Sequence, residues 1–362
     1  MIENRMRGEI VEMQAEFRRR GFFRPATARI LAGWLYNFAL TLGGLAIWLL
    51  FDPWWSKGAG LLISTLGLTG IMTCAHTAAH GTALPWQWAN SALAYFGNPF
   101  MAMVSADYWR HKHNVVHHPN PNIVGVDDDC DLMPFFALNQ SEVLPAGPVM
   151  AFYYRHVQGW VFPLAVTLNG FNVQRASWAH LVGRLLDRRT RRPEHILDMC
   201  VLLGHVGVWI VLPCIFLSVP EGLLLYFLRI AAAGHFMFFA FAPAHFPAEA
   251  SLLEVVASER DAAMRQTQTT LNFRTGFIGG LMCNGVQYQI EHHLFPYICH
   301  VYYPKIAPLV KDLCYRNGYP YRTLGWGEAI LKSYAALFRP REILGLATPN
   351  EPLRGSIARV LL

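Results

Sequence analysis

Histidines at metal-ligand spacing are the most informative feature of this chain. Eight of its 15 histidines lie within three short windows, residues 76–80, 111–118 and 289–293. Two windows contain an adjacent pair, His117-His118 and His292-His293, and each pair follows another side chain that can bind metal. Imidazole nitrogen is the commonest metal ligand in proteins, whereas a structural zinc needs only four ligands. The windows therefore predict two metal ions held close together.

The spacing inside each window predicts which side chains meet. Residues four apart share a helix face, so we expect His76 and His80 to point at one ion and His113 and His117 to do the same. His118 projects about 100° away from His117 on an α-helix, which favours contact with a second ion. The third window repeats the arrangement with Gln289, His292 and His293. The alternative is that each is an ordinary hydrogen-bonded histidine, which explains single residues better than it explains three clusters.

The composition indicates that these windows belong to a membrane protein. Of the 362 residues, 53% are hydrophobic and 15% are charged, and the mean hydropathy is +0.25, which is too apolar for an ordinary soluble enzyme. A membrane span needs about 20 apolar residues. Two broken apolar segments, residues 86–104 and 149–168, are predicted to lie at the interface or to re-enter the membrane. Four segments are predicted to cross it: residues 30–51, 59–74, 199–219 and 222–241.

The distribution of arginine predicts how the spans are oriented. The connectors at residues 51–58 and 219–221 are short and nearly free of positive charge, whereas arginine-rich segments precede the first and third spans. The positive-inside rule then places both termini and the long middle segment in the cytoplasm. The three windows fall on that side, as does His245 at the end of the fourth span, so they can converge. Lipid headgroups explain the net charge of +6 better than nucleic acid, for which we find no binding motif.

We therefore predict an all-α integral membrane protein. Four transmembrane helices form two hairpins, and a cytoplasmic helical cap carries a histidine-rich dimetal site. The predicted division is a basic cytoplasmic N-terminus (1–29), a membrane and cytoplasmic domain with the first two windows (30–245), a cap with the third window (246–338) and a C-terminal tail (339–362).

The second and third windows resemble the histidine boxes of the membrane fatty-acid desaturases. The string YQIEHHLFP from Tyr288 to Pro296 resembles the third box, in the branch where glutamine replaces its first histidine. The string WRHKHNVVHH from Trp109 to His118, and NIVGVDDD from Asn122, are similar to the second-box region of linoleoyl (Δ6-type) desaturases. Residues 268–273 and 295–304 are also similar. The resemblance covers about residues 70–321.

The resemblance implies two non-haem irons with dioxygen as co-substrate. His111 does not match a family ligand, and we interpret it as a neighbour of the site. Gln289 stands where other branches have a histidine ligand, and whether it touches metal, acts through water or orients a direct ligand is open. The matching ligand positions are His76, His80, His113, His117, His118, His245, His292 and His293.

Carboxylates that orient metal-bound imidazoles are also expected near such a site. The candidates are Asp127, Asp129 and Glu291. A solvated acidic loop explains the two aspartates equally well. The chain departs from the family pattern at Thr77, where the first box usually has aspartate, and at Gln287, where the third box usually has asparagine. Either another carboxylate compensates for Thr77 or the substrate branch differs.

The implied activity is oxygen-dependent desaturation of a fatty acyl chain, attached to a lipid, coenzyme A or acyl carrier protein, to give a cis double bond. An unactivated methylene has no acidic proton, so a cofactor must carry the hydrogen removal. The alternatives are a diiron hydroxylase, ketolase or acetylenase and, in another class, a zinc-dependent membrane hydrolase or a non-catalytic metal-binding protein. No His-Pro-Gly-Gly haem motif occurs and 29 residues precede the first span. We therefore expect electrons from a separate ferredoxin or free cytochrome with its reductase.

Overall fold

The computed structural model describes residues 2–255 and 261–346, so most of the predicted tail lies outside the described residues. The described chain is mostly helical. Its α-helices are α1 (Ile2–Arg19), α2 (Thr27–Leu50), α3 (Trp54–Ala79), α4 (Gln87–Tyr95), α5 (Ala106–Trp109), α6 (Gln140–Val143), α7 (Pro148–His156), α8 (Gln158–Leu186), α9 (Pro193–His205), α10 (Leu212–Phe216), α11 (Val219–His245), α12 (Ala262–Thr269), α13 (Phe277–Cys283), α14 (Gln289–Leu294), α15 (Tyr303–Asn317) and α16 (Trp326–Ala335). Three segments are π-helical, namely π1 (Phe96–Ala102), π2 (Arg110–His117) and π3 (Val206–Val211).

Among the described residues, four helical segments are long and apolar enough to cross a membrane, in agreement with the predicted number. They are α2, α3, the continuous run α9–π3–α10, and α11. The second is longer than predicted, because it includes polar residues on both sides of the apolar stretch. Three of its threonines bond their hydroxyls within the helix, since Thr65, Thr69 and Thr73 each donate to a backbone oxygen four residues earlier. These hydroxyls therefore do not interrupt α3 before it reaches His76.

Glycines allow α2 and α3 to pack closely along their length. A Cβ atom on Gly67 of α3 would lie 2.4 Å from the backbone oxygen of Asn37 in α2. A Cβ atom on Gly60 would lie 2.5 Å from the backbone oxygen of Gly44. Small residues at such positions let two membrane helices approach backbone to backbone. This contact fixes α3, which carries the first histidine window.

The last span, α11, packs against α3, α8 and α16. Two of its polar side chains form hydrogen bonds to neighbouring helices. His235 is hydrogen-bonded to Thr167 of α8 (Nε2 to Oγ1, 2.8 Å), and Tyr226 lies 3.1 Å from the Nε2 atom of His205 in α9. These bonds hold α11 against α8 and α9, and α11 ends at His245.

The part of the chain after α11 is joined by two short strands, a small departure from a purely helical cap. Strands β1 (Asn272–Arg274) and β2 (Thr323–Gly325) pair in parallel, with Phe273 opposite Leu324. The helix α1 also packs here, since the rings of Phe17 and Phe295 are 5.3 Å apart in an edge contact. A hydrophobic core that includes both rings surrounds α14 and α15. This core holds α14, which carries the third window.

Candidate metal centre

The eight histidines predicted as ligands converge in the structure. They come from the end of α3, from π2, from the end of α11 and from α14, so four separate segments supply them. Within each of two groups the ligand atoms lie within 4.8 Å of one another. The five-histidine group contains His76, His80, His113, His118 and His292, and the three-histidine group contains His117, His245 and His293.

Imidazole nitrogens in the five-histidine group face one another. The Nε2 atom of His76 lies 2.7 Å from that of His113 and 3.3 Å from that of His80. The Nε2 atom of His292 is buried and has no hydrogen-bond partner among the described residues. A neutral imidazole carries one N–H, so only one of its two nitrogens can donate, and converging nitrogens that carry no hydrogen need a donor or a cation. A shared cation would satisfy them.

The second window divides between the two groups differently from the sequence prediction. We expected His113 and His117 to meet at one ion and His118 to reach another, but His118 lies with His113, with 3.1 Å between their Nε2 atoms. His117 instead belongs to the three-histidine group. The reason is that residues 110–117 form a π-helix, in which the backbone N–H of His118 bonds to the oxygen of His113 five residues earlier. Residues five apart, rather than four, therefore share a face.

Gln289 lies inside the three-histidine group. Its side-chain amide nitrogen is 2.9 Å from the Nε2 atom of His245 and 3.2 Å from that of His293. Its Oε1 atom is buried and lacks a partner in the described part of the chain. Amide oxygen and nitrogen are exchanged by a half-turn of the terminal group, which would direct Oε1 to the same place as the two imidazoles. The group therefore offers four converging side chains.

Three of the histidines form a hydrogen bond to another side chain through their Nδ1 atoms. A bond from Nδ1 fixes the orientation of the ring and leaves Nε2 free to bind metal. The partners come from a loop, from α12 and from α15. The pairs are His117 with Asp127 (2.9 Å), His293 with the Oε1 atom of Gln266 (2.7 Å) and His292 with the hydroxyl of Tyr303 (3.1 Å).

The electrostatic surroundings favour neutral imidazoles. Burial, reinforced by neighbouring histidines, lowers the pKa well below its usual range for His113, His118, His292 and His293. Burial also acts on His117, but there the carboxylate of Asp127 outweighs it and raises the pKa of that imidazole. Neutral imidazole is the form that binds metal.

The three predicted carboxylates have different surroundings. Asp127 is 1% exposed and accepts bonds from the imidazole of His117 and the backbone N–H of Asn122. Asp129 is more exposed; it forms an ion pair with Lys112 (2.8 Å) and lies 3.5 Å from the Nδ1 atom of His117. In the predicted acidic loop, Asp127 is therefore buried and Asp129 lies near the surface.

Glu291 faces away from the histidines. Its carboxylate accepts bonds from the Nδ2 atom of Asn272 (2.8 Å) and the hydroxyl of Tyr321 (2.7 Å). Burial raises the pKa of Glu291 to about 7, although both bonds oppose this shift. The carboxylate therefore connects α14 to β1 and to the segment before β2, and orients the helix rather than an individual imidazole.

Several contacts could not be anticipated from the windows alone. Gln266 lies next to a segment that resembles the desaturases and Tyr303 lies within one, but nothing in their spacing marks them as partners of histidines. Thr77 is hydrogen-bonded to His300 (Oγ1 to Nδ1, 2.6 Å), so an imidazole rather than a carboxylate is its partner. His111 is exposed and stacks on His180, outside both groups.

Asp127→Asn is expected to weaken metal binding by about 10- to 100-fold, the usual cost of losing a partner that orients a ligand. The amide keeps the shape of the side chain but removes the negative charge that faces His117. Titration of the metal-loaded protein with a competing chelator measures the effect. Asp129→Asn is the matched control and should change affinity only a few-fold, since that carboxylate is near the surface. Equal losses in the two variants would contradict the assignment.

The chain is similar to known desaturases over most of its length. The family model "Fatty acid desaturase" matches residues 52–325. The sn-1 linoleoyl-lipid 6-desaturase of Arthrospira platensis is 27% identical over 75% of this chain and 74% of its own length. A Delta(5) fatty acid desaturase of Caenorhabditis elegans is 29% identical over 68% of this chain and 55% of its own length. Fatty acid desaturase 3 of Homo sapiens is 24% identical over 83% of this chain and 65% of its own length. Together with the histidine groups, these matches show that the chain belongs to the fatty acid desaturase family.

Proposed function

We propose that this chain is an oxygen-dependent fatty-acyl desaturase with two non-haem irons. The observation that carries the proposal is the convergence of eight histidines as two adjacent groups in a chain of this family. The five-histidine group would hold one iron. The three-histidine group would hold the other, with Gln289 as a fourth donor.

The donor set fits a pair of transition-metal ions. Imidazole suits iron as well as zinc, copper and nickel, and the unsatisfied, buried Nε2 atom of His292 is accounted for by an ion at that place. When bound, the iron pair supplies the reduction of dioxygen to an oxidant that removes hydrogen from an unactivated methylene. The overall reaction converts CH2–CH2, dioxygen, two electrons and two protons into CH=CH and two molecules of water.

The protein's own side chains orient the donors and shield them from water. The Nδ1 partners described above fix the rings, and aromatic side chains cover them. The indole of Trp109 stacks on His113 with 4.9 Å between ring centroids, and the ring of Phe241 lies 5.8 Å from that of His76. Excluding water protects a reactive centre from side reactions.

We propose a fatty acyl chain, attached to a lipid, coenzyme A or acyl carrier protein, as the substrate. The names of the relatives support the acyl class, since they include linoleoyl-lipid 6-desaturase and Delta(5) fatty acid desaturase.

We also propose that a separate ferredoxin or cytochrome delivers electrons. The spans are proposed to form two hairpins, with both termini and the metal centre on the cytoplasmic side. The arginine distribution supports this orientation, as does the position of His76, His80 and His245 at the ends of α3 and α11.

Expression in a host of known lipid content tests the function. We expect iron in the purified protein, oxygen consumption with substrate and reductant, and products that have lost two hydrogen atoms, because desaturation removes them as water. Mass spectrometry of the lipids locates the new double bond. A gain of one oxygen atom would indicate a hydroxylase instead, and zinc without iron or oxygen consumption would indicate a hydrolase or a binding protein.

A further inference from the structure

A small cavity lies beside the five-histidine group. It borders His76, His80 and His292 and has room for about one water-sized molecule. The rest of its wall comes from the end of α3 and the turn after it, from the turn before α14 and from the segment before α15. These parts of the wall include Thr77, Thr82, Gly285, Val286 and His300.

The cavity lies on the open side of the five-histidine group. Of the eight candidate ligands, His80 is the one that is not fully buried. His300, across the cavity, is also partly exposed. The other sides are covered, because Trp109 stacks on His113 and the ring of His118 lies 4.6 Å from that of His293 in the second group. A small molecule would therefore meet this group first through the cavity.

The wall of the cavity is constructed by specific contacts. Gly285 has φ +96°, and a Cβ atom there would lie 2.4 Å from the Cβ atom of His300, so glycine is required for the imidazole to lie at this place. The bond between Thr77 and His300 then fixes the ring. Thr82 donates to the backbone oxygen of Thr77 (3.2 Å), which closes the turn after α3. The cavity is thus held open by these contacts.

We propose that this cavity is the port through which dioxygen reaches the five-histidine group and water leaves it. The inference rests on the proposed function, in which each turnover takes up one dioxygen and releases two waters. The size and lining of the cavity favour this occupant over the acyl chain. An acyl chain needs a long, mostly apolar pocket, whereas this wall carries hydroxyl and imidazole groups and encloses about one small molecule.

Substitutions at Val286 test the port, because this buried side chain lines the cavity and is not a candidate ligand. Val286→Phe should raise the KM for dioxygen about tenfold and leave the KM for the acyl substrate unchanged, as expected when access of one reactant alone is obstructed. It should also slow the binding of nitric oxide to the reduced, iron-loaded protein, followed by optical stopped flow. Val286→Ala should speed that binding.

The control is Val143→Ala, which makes the same change in a buried residue that packs against α7 and should leave both rates unchanged. If Val286→Phe fails to retain iron, Val286→Ala decides the question by its nitric oxide rate. Unaltered nitric oxide rates and an unaltered KM for dioxygen would overturn the port, as would a change confined to acyl binding or to the position of the double bond. A wild-type protein that makes no double bond would count against the proposed function, whereas nitric oxide binding reports on the port independently of product.

Discussion

His117→Ala and His293→Ala are each expected to abolish desaturation while leaving the protein in the membrane. Both residues belong to the three-histidine group, which has fewer donors than the other group and so has none to spare. Loss of a residue that merely orients a ligand costs about 10- to 100-fold, so we expect at least about 100-fold for a direct donor. The measurements are product yield by mass spectrometry and iron per chain by elemental analysis. The amount of iron per chain should fall by about half, since the five-histidine group is intact in both variants.

Two histidines outside both groups serve as controls for this prediction. His235 is bonded to Thr167 between α8 and α11, and His111 stacks on His180 at the surface. Alanine at either position should leave the iron content unchanged, because neither imidazole reaches the converging nitrogens. Full activity of His117→Ala or His293→Ala would refute the ligand assignment. Equal iron loss in the controls would indicate general instability instead.

Gln289→Ala is expected to give the second large effect. This substitution removes the fourth side chain of the three-histidine group and leaves three imidazoles. If the amide binds metal directly, iron in that group should be lost and activity should fall about 100-fold, comparable with loss of a histidine. Iron content and the spectrum of the remaining iron measure this outcome.

Gln289→His distinguishes a direct ligand from a residue that acts through water. An imidazole at this position, four residues before His293 on α14, can supply a nitrogen donor where the amide lies. We expect this variant to retain both irons, with an altered spectrum because nitrogen replaces an amide donor. Gln289→Ala with full iron content and an unchanged spectrum would exclude direct binding by the amide.

The sequence alone identified the parts of the site but not how they pair. The two His-His pairs and the spacing from His76 to His80 predicted a dimetal centre, and the apolar stretches predicted four spans, because both signals are local. The prediction that His113 and His117 meet at one ion was wrong, because it assumed an α-helix where residues 110–117 form a π-helix. One residue more per hydrogen-bonded turn changes which side chains share a face.

The tertiary structure also decided which distant residues complete the centre. Gln266 and Tyr303 hold the rings of His293 and His292 from 27 and 11 residues away, and His300 reaches Thr77 across 223 residues. Such contacts leave no periodic pattern in the sequence.

The sequence by itself therefore determined the membrane character of this protein, its family and the set of candidate ligands, since these depend on residue type and short spacing. Only the tertiary structure decided the division of the ligands into two groups, the position of Gln289 and the cavity beside His80. These features depend on how four separate segments pack together, and packing is set by contacts between residues far apart in the chain.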